Sequence, residues 1–291
     1  MSIPFDARCI ECHLRRNCAT ARKFGTEAQV TAFAKDLLRL YLTAPADVSS
    51  PWLGPATTEL FQKHFNLPED RFAEEKASSN RFVLERMGQI RQRVEQAADP
   101  VFAGLQFAIL GNYIDFSALQ GQVSFEKLEE LLAEAEKMEL DKNTYADLCA
   151  DLQKGKKLLY LTDNAGEIGF DRIFAEEIHK KYPHLAITFC VRGGPAMNDA
   201  TEEDAALMGI PFPVISNGNR VPGTQIDQLG GKARTALETA DVIIAKGQGN
   251  AETMYGCGHN VYYAFLIKCP RFEAVFGKPK FTPMLVQDPK K

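Results

Sequence analysis

The most informative stretch of this chain is Leu159-Tyr160-Leu161-Thr162-Asp163-Asn164-Ala165-Gly166-Glu167. An apolar run ends in a carboxylate and an amide, a glycine follows, and a segment of helical character continues to about His179. This pattern predicts a β-strand that delivers oxygen ligands to the N-terminus of a helix. Oxygen ligands suit Mg²⁺ or Mn²⁺, and a helix N-terminus suits a phosphate. The stretch therefore suggests metal-assisted phosphate chemistry.

The composition excludes several classes of protein. The chain has 291 residues, of which 45% are hydrophobic and 25% charged, and its formal net charge is -4. These values are typical of a soluble globular protein with one large domain or two modest ones. Without a basic block we expect no nucleic-acid partner, and without an apolar run of about 18 residues we expect no membrane span. The N-terminus does not resemble a signal peptide, so a cytoplasmic location is the default expectation.

The spacing of apolar residues along the chain changes near residue 153. Before that point apolar residues recur at helical spacing, as in the helix that the capping box Thr26 and Gln29 opens. Further helices are predicted over 59–65, 80–98 and 101–110. Two more are predicted to begin at the capping residues Ser124 and Asn143. In the first of these, the inward-facing residues are Leu128, Leu131, Leu132, Ala135 and Met138.

Beyond residue 153, short apolar runs alternate with helix-length polar segments, which is typical of a parallel sheet covered on both faces. The sequence thus predicts an α/β fold with a Rossmann-like, mostly parallel sheet flanked by helices. A helical N-terminal domain (1–153) would contribute to the pocket of a metal- and phosphate-binding domain (154–291). The predicted strands are Lys157–Leu161, Ala186–Val191, Phe212–Ile215, Val242–Ala245 and Val261–Ile267. The final residues, 287–291, are predicted to form a loose tail.

Polar and glycine-rich segments follow four of these strands. They are Asp163-Asn164, Arg192 to Asp199, Ser216 to Asn219 and Lys246 to Asn250. Because ligands of open parallel sheets bind beyond the carboxyl ends of the strands, we expect these segments to form one site.

Asp163, Asn164 and Asp199 are the candidate metal ligands. Two carboxylates and an amide oxygen leave room for water and a phosphate oxygen in an octahedral shell. The alternative is that Asp163 and Asp199 only cap the helices that follow them.

Lys246, followed by Gly247 and Gly249, has the pattern of a phosphate cradle, although it lacks the spacing of a nucleotide P-loop. A tight turn with a solvated lysine is the alternative. Together with Asn250 and Arg192, these residues are predicted to contact substrate. Glu167 in the first helical turn would orient water or act as a general base, unless it only complements the helix dipole.

The N-terminal cluster Cys9, Cys12, His13 and Cys18 has the C-x-x-C spacing of zinc or redox sites. No second C-x-x-C follows, so a zinc, redox or purely structural role stays open. Cys257, His259 and Cys269 would supply missing ligands only if the fold brought them close.

The motifs resemble those of the damage-control phosphatase family. The family signature resembles Asp163 to Ile168 together with Phe170-Asp171. Three further family segments have counterparts here: GN-x-IDF resembles Gly111 to Phe116, ND-[AV]-T resembles Asn198 to Thr201, and KGQGN-x-ET resembles Lys246 to Thr253. The cysteines resemble those of its prokaryotic, cysteine-containing subfamily. Gly169 departs from the pattern, since a bulkier apolar residue is usual there, and Cys18 is not expected.

The resemblance implies hydrolysis of small phosphomonoesters, such as sugar phosphates or damaged phosphometabolites, with a divalent metal (Mn²⁺, Mg²⁺, Co²⁺ or Ni²⁺). It implies that Asp163, Asn164 and Asp199 hold the metal, that Lys246 contacts phosphate, and that Asn112 and Asp115 belong to a segment that closes over the pocket. Catalysis would depend on Asp163, Glu167 and Lys246. The oligomeric state is left open.

Three other functions remain as alternatives. Asp163 would be a covalent nucleophile in a haloacid-dehalogenase-type phosphatase, but no D-x-D pattern is present. An S-adenosylmethionine-dependent carboxyl methyltransferase would need a glycine-rich loop after the first strand, where this chain has a single glycine. A non-catalytic protein would bind phosphate esters or metal without turnover.

Overall fold

Six strands form one sheet in the order β3-β2-β1-β4-β5-β6. The computed structural model describes residues 2–112, 130 and 133–289. β1 to β5 are parallel, and β6 pairs with β5 in the antiparallel direction. The predicted α/β fold is confirmed. The strands are β1 (Lys157–Leu161), β2 (Ala186–Val191), β3 (Val214–Ser216), β4 (Val242–Lys246), β5 (Val261–Leu266) and β6 (Pro283–Gln287).

Helices cover both faces of the sheet. The helices whose bounds the structure describes are α1 (Ala7–Ala21), α2 (Glu27–Thr43), α3 (Gly54–Phe65), α4 (Ala73–Leu84), α5 (Met87–Gln96), α6 (Pro100–Gly111), α7 (Lys142–Lys154), α8 (Glu167–Lys181), α9 (Glu202–Leu207), α10 (Gly231–Thr239), α11 (Gly247–Met254) and α12 (Pro270–Phe276), with 3-10 turns at Ser50–Leu53 and Ile226–Gln228. The predicted capping box opens α2, where Thr26 and Gln29 bond each other reciprocally.

Alternate side chains of each strand enter two different cores, as the period of a strand requires. Leu158 and Tyr160 of β1 pack with α4 to α8, whereas Leu159 and Leu161 pack with α10, α11 and α12. Both faces are therefore apolar, which explains the uninterrupted hydrophobic runs of the sequence.

The helices before residue 153 fall into two groups. Those from α4 to α7 share a core with the sheet, while α1, α2 and α3 bury a cluster of their own around Phe33 and Phe61. A domain boundary at residue 153 stays a prediction.

Three expectations from the sequence are corrected. The helix predicted over 80–98 is two helices, because the amide of Arg86 bonds the carbonyl of Val83 in a tight turn between α4 and α5. The side chain of Asp141, not that of Asn143, caps α7. The C-terminus is not a loose tail up to residue 289, since Gln287 lies in β6 and the buried Asp288 accepts from the amides of Gly256 and Gly258.

Two sequence predictions fall outside the described residues, namely the segment from Tyr113 to Phe116, which contains Asp115, and most of the helix from Ser124. Among the described residues, no helix is long and apolar enough to cross a membrane.

Candidate active site

The site lies where the direction of the strand order reverses. β1 and β4 are neighbours, and the chain leaves them toward opposite sides of the sheet, which opens a crevice beyond their carboxyl ends. α8 begins at Glu167 and α11 begins at Gly247, so both helices turn their N-termini toward this crevice. The fold thus brings together the loops after β1 and β4, as the sequence predicted.

Backbone pairing joins the loops that follow β1 and β2. The amide of Ala200 donates to the carbonyl of Asp163 over 2.7 Å, and the amide of Ala165 donates to the carbonyl of Asn198 over 2.9 Å. Asn164 and Asp199 consequently face each other across an antiparallel bridge. The three candidate metal ligands therefore lie in two loops that are fixed to each other.

Two amide groups connect two carboxylates at the centre of the site. Nδ2 of Asn112 donates to Oδ2 of Asp163 (2.7 Å) and to Oε2 of Glu167 (3.0 Å). Nδ2 of Asn164 donates to the same two oxygens, over 2.9 Å and 2.7 Å. All four side chains are at least nine-tenths buried. This square of two amides and two carboxylates leaves Oδ1 of Asp163 without a hydrogen-bond donor among the described residues.

Lys246 lies beneath this square and is fully buried. Its Nζ lies 2.7 Å from Oε1 of Glu167, 2.7 Å from Oδ1 of Asp171 and 2.8 Å from the carbonyl of Ala108. Since an ammonium has three protons, protein oxygens occupy its whole donor capacity. Tyr160 also donates to Oδ1 of Asp171. Lys246 can contact a phosphate only by exchanging one of these partners.

Arg192 is buried too, and its guanidinium contacts a candidate ligand directly. Nε donates to Oδ2 of Asp199 over 2.5 Å, while Nη2 donates to the carbonyl of Thr162 and to Oδ1 of Asn250. Asn250 in turn donates to the carbonyls of Thr162 and Lys246. In this arrangement Arg192 and Asn250 fix the ends of β1, β2 and β4.

The two glycines of the predicted cradle have different surroundings. Gly247 has a φ of +76° and lies against the Asp163 carboxylate, so it borders the site. Gly249 faces away from it, because a Cβ there would lie 2.4 Å from the carbonyl oxygen of Pro222.

Burial raises the pKa of Asp163 well above its usual range, and the charges of Glu167 and Asp199 raise it further, although Lys268 and Arg192 act in the opposite direction. Burial likewise raises the pKa of Asp171 to about 7, against the opposing effect of Lys246. Burial alone would lower the pKa of Lys246, but the charges of Asp171 and Glu167 raise it above its ordinary value. Lys246 is therefore held as an ammonium.

The charge and chemistry of the cluster fit a divalent cation. Four buried carboxylates, Asp163, Glu167, Asp171 and Asp199, accompany two buried cationic groups, Lys246 and Arg192. If all six are ionised, their formal charge is about two units negative, and carboxylate and amide oxygens are the ligands that Mg²⁺ and Mn²⁺ accept. Oδ1 of Asn112 is also buried with no partner among the described residues.

The described residues contain no group of three or more His, Cys, Asp or Glu side chains arranged to hold a metal ion. A metal at this site would therefore need the amide oxygen of Asn164 and oxygens from water or substrate to complete its shell.

A family model for the damage-control phosphatase ARMT1-like domain matches residues 5–282. The chain belongs to this family. It is 30% identical to an uncharacterized protein of Methanocaldococcus jannaschii over 92% of this chain and 90% of that protein. It is 35% identical to a damage-control phosphatase of Archaeoglobus fulgidus, over 64% of each chain, and 36% identical to one of Pyrococcus horikoshii, over 60% of this chain and 61% of that one.

A solved structure of this family has the same fold along nearly its whole length. The crystal structure of a DUF89 family protein from Pyrococcus horikoshii superposes with a TM-score of 0.81 at 26% identity, over 98% of this chain and 99% of that one. The departure from the family motif at Gly169 has a local cause, because a Cβ there would lie 2.7 Å from Cγ1 of Val83 and 3.2 Å from Sδ of Met208.

The N-terminal cysteines of this damage-control phosphatase family member lie on α1. Burial raises the pKa of Cys9 to about 11, and Cys9 is close enough to Glu252 of α11 and to Cys269 for their charges to raise its pKa as well. Burial lowers the pKa of His13 to about 4, so both Cys9 and His13 are held neutral at pH 7. All seven cysteines of the chain are free thiols. Among the described residues these side chains form no group of three that could hold zinc, and a redox or structural role for the cluster stays a prediction.

Several residues that support the site were not predicted from the sequence. Asp171 lies four residues after Glu167, so helical spacing directs both carboxylates to one face of α8, where Lys246 joins them. That spacing was a usable signal. Asn80 and Asp204, which also contact the site loops, carry no such signal.

Proposed function

We propose that this protein is a metal-dependent phosphatase that hydrolyses small phosphomonoesters, such as sugar phosphates or damaged phosphometabolites. The observation that carries the proposal is the square of Asn112, Asn164, Asp163 and Glu167, which gathers buried, excess negative charge at the crevice. Two relatives named damage-control phosphatases support the reaction class.

Asp163, Asn164 and Asp199 would hold Mn²⁺, Mg²⁺, Co²⁺ or Ni²⁺. When bound, such an ion polarises a phosphoryl oxygen and lowers the pKa of water. Arg192 donates to Oδ2 of Asp199 and so holds the orientation of that carboxylate. The amides of Asn112 and Asn164 donate to Oδ2 of Asp163 and hold that carboxylate in the same way.

Glu167 would take the proton of the attacking water or orient that water. Its carboxylate is held by Lys246 at one oxygen and by two amides at the other, so its orientation is fixed before substrate binds. The N-terminus of α11 at Gly247 offers backbone amides to phosphoryl oxygens. Lys246 would add its charge to stabilise the transferred group, at the cost of one present hydrogen bond.

The test is hydrolysis of an aryl phosphate and of a panel of sugar phosphates. The enzyme is first treated with a chelator and then given Mn²⁺, Mg²⁺, Co²⁺ or Ni²⁺ in turn. We expect turnover to vanish with the chelator, to return with at least one ion, and to fall at least about 100-fold in Asp163→Ala and Asp199→Ala.

Asp227→Ala is the control, since Asp227 is an exposed carboxylate in the 3-10 turn before α10. It should behave as the wild type. Turnover that survives both the chelator and the two site substitutions would refute the proposal. Stable binding of phosphate esters without turnover would favour a non-catalytic binding protein.

A further inference from the structure

A buried network of hydrogen bonds connects α4 to the two site loops. Asn80 on α4, 2% exposed, uses both ends of its amide. Its Oδ1 accepts from the amide of Gly166 over 2.7 Å, and its Nδ2 donates to Oδ1 of Asp204 over 2.7 Å. Gly166 lies between Asn164 and Glu167, so this contact reaches the centre of the loop after β1.

Asp204 extends this hydrogen-bond network to the loop after β2. Its Oδ2 accepts from the amide and the hydroxyl of Thr201, each over 2.8 Å. Thr201 follows the candidate ligand Asp199 by two residues. Nζ of Lys76, one turn before Asn80 on α4, lies 3.0 Å from the same oxygen and compensates the charge of Asp204. Asp204 is 5% and Lys76 7% exposed.

The shape of the Gly166 turn fits this contact. Gly166 has a φ of +77°, and a Cβ there would lie 2.9 Å from Cβ of Ser79 and 3.0 Å from its carbonyl oxygen. The loop after β1 therefore packs directly on the backbone of α4 beside Asn80. Buried polar groups with every bond satisfied hold one geometry strongly.

We infer that Asn80 and Asp204 form a positioning pair that fixes the two site loops relative to each other through Gly166 and Thr201. The inference deepens the proposed function, because these loops carry the three proposed metal ligands. Neither residue reaches the proposed ligands themselves, so both act by holding the backbone that presents them.

Exchanging the two residues gives a sharp test. In Asn80→Asp two carboxylates would face each other. In Asp204→Asn the new amide has an accepting oxygen at only one of the two positions, so it cannot accept hydrogen bonds from both Asn80 and Thr201. In the double variant Asn80→Asp/Asp204→Asn, the new amide at position 204 donates to the new carboxylate at position 80, and the amide oxygen accepts from Thr201 and Lys76. The hydrogen bonds between the two positions and to Thr201 are then retained, with the direction of one reversed.

The first measurement is amide hydrogen exchange of the chelated protein, followed over peptides covering 163–169 and 199–205. We expect faster exchange in both peptides for Asn80→Ala and for each single exchange variant, and wild-type protection in the double variant. Asn17→Ala is the control, since Asn17 is also buried and its side-chain amide donates within its own helix, to the carbonyl of His13 on α1.

The second measurement is the affinity for Mn²⁺, followed by the electron paramagnetic resonance signal of the free ion. We expect a roughly 10- to 100-fold weaker Kd in the single variants, as for other residues that support metal ligands, with recovery in the double variant and no change in Asn17→Ala. If the wild-type protein binds none of Mn²⁺, Mg²⁺, Co²⁺ and Ni²⁺, the proposed function fails, while the exchange data still decide the inference.

Faster exchange in only one of the two peptides would overturn the inference, and so would unchanged exchange in both. A double variant that behaves like the single variants, or that does not fold, would also overturn it. If Asn80→Ala itself does not fold, the comparison of Asn80→Asp, Asp204→Asn and the double variant decides whether the inference holds.

Discussion

Gly247 lies so close to Asp163 that a Cβ built on Gly247 would be 1.9 Å from Oδ2 of the Asp163 carboxylate. Its φ of +76° belongs to the left-handed region that glycine adopts without strain. The first residue of α11 is therefore constrained twice, by backbone shape and by contact with a candidate metal ligand.

Gly247→Ala should displace the Asp163 carboxylate. Because displacements of about 1 Å cost on the order of 100-fold in rate, kcat/KM for an aryl phosphate should fall at least that far. Gly231→Ala is the matched control, since Gly231 is also the first residue of a helix and a Cβ there meets nothing within 4 Å. Comparable activity in the two variants would contradict the assigned contact.

Lys246→Met should destabilise the fold by about 3–5 kcal/mol, because Glu167 and Asp171 would remain as buried charges without their partner. Adding Asp171→Asn should restore part of that loss. The free energy of unfolding in urea measures both effects. Lys180→Met is the control, since Lys180 also contacts two carboxylates but is half exposed, and it should cost less than about 1 kcal/mol.

Arg192→Lys keeps the charge but loses the planar group that reaches Asp199, Thr162 and Asn250 together. We expect the Kd for Mn²⁺, measured by calorimetry, to weaken about 10- to 100-fold. Arg220→Lys changes an exposed arginine paired with Glu69 and should leave that Kd unaltered. Equal Kd values for both variants would show that Arg192 does not position Asp199.

The stability of the chelated protein should fall as the pH rises from about 4 to about 7. Asp171 has a folded-state pKa of about 7, against about 3.9 for an unfolded aspartate. Between these values the folded state holds a proton that the unfolded state has lost, so the free energy of unfolding decreases with pH, by up to about 1.4 kcal/mol per unit. Asp171→Asn should remove the part of this slope that Asp171 contributes and leave the part due to Asp163, whose pKa is also raised. Urea unfolding at several pH values will measure the difference. A slope that persists unchanged in Asp171→Asn would assign it to another group.

Much of the sheet could be predicted from the sequence, because parallel strands buried on both faces leave uninterrupted apolar runs. The bounds of β1 and β2 agree with the prediction, and the loops after β1, β2 and β4 meet as expected. β6 was missed, since an antiparallel edge strand of mixed polarity gives a weak pattern.

The partners of the charged residues were harder to predict. Lys246 looked like a free phosphate ligand, but its bonds to Asp171 and Ala108 arise from helices packed on the sheet. Asn80 and Asp204 are 124 positions apart and meet only through tertiary packing. No local period or motif encodes such a pair.

If the crevice between β1 and β4 binds a metal ion and a phosphate ester as proposed, the affinity for each depends on the other. A phosphate ester that enters without a metal meets the Asp163 and Glu167 carboxylates, so its affinity should be low. If the metal raises the affinity for the ester by some factor, the ester must raise the affinity for the metal by the same factor. A site with this charge would therefore retain its metal more tightly while substrate is present, and would release it more readily as product leaves.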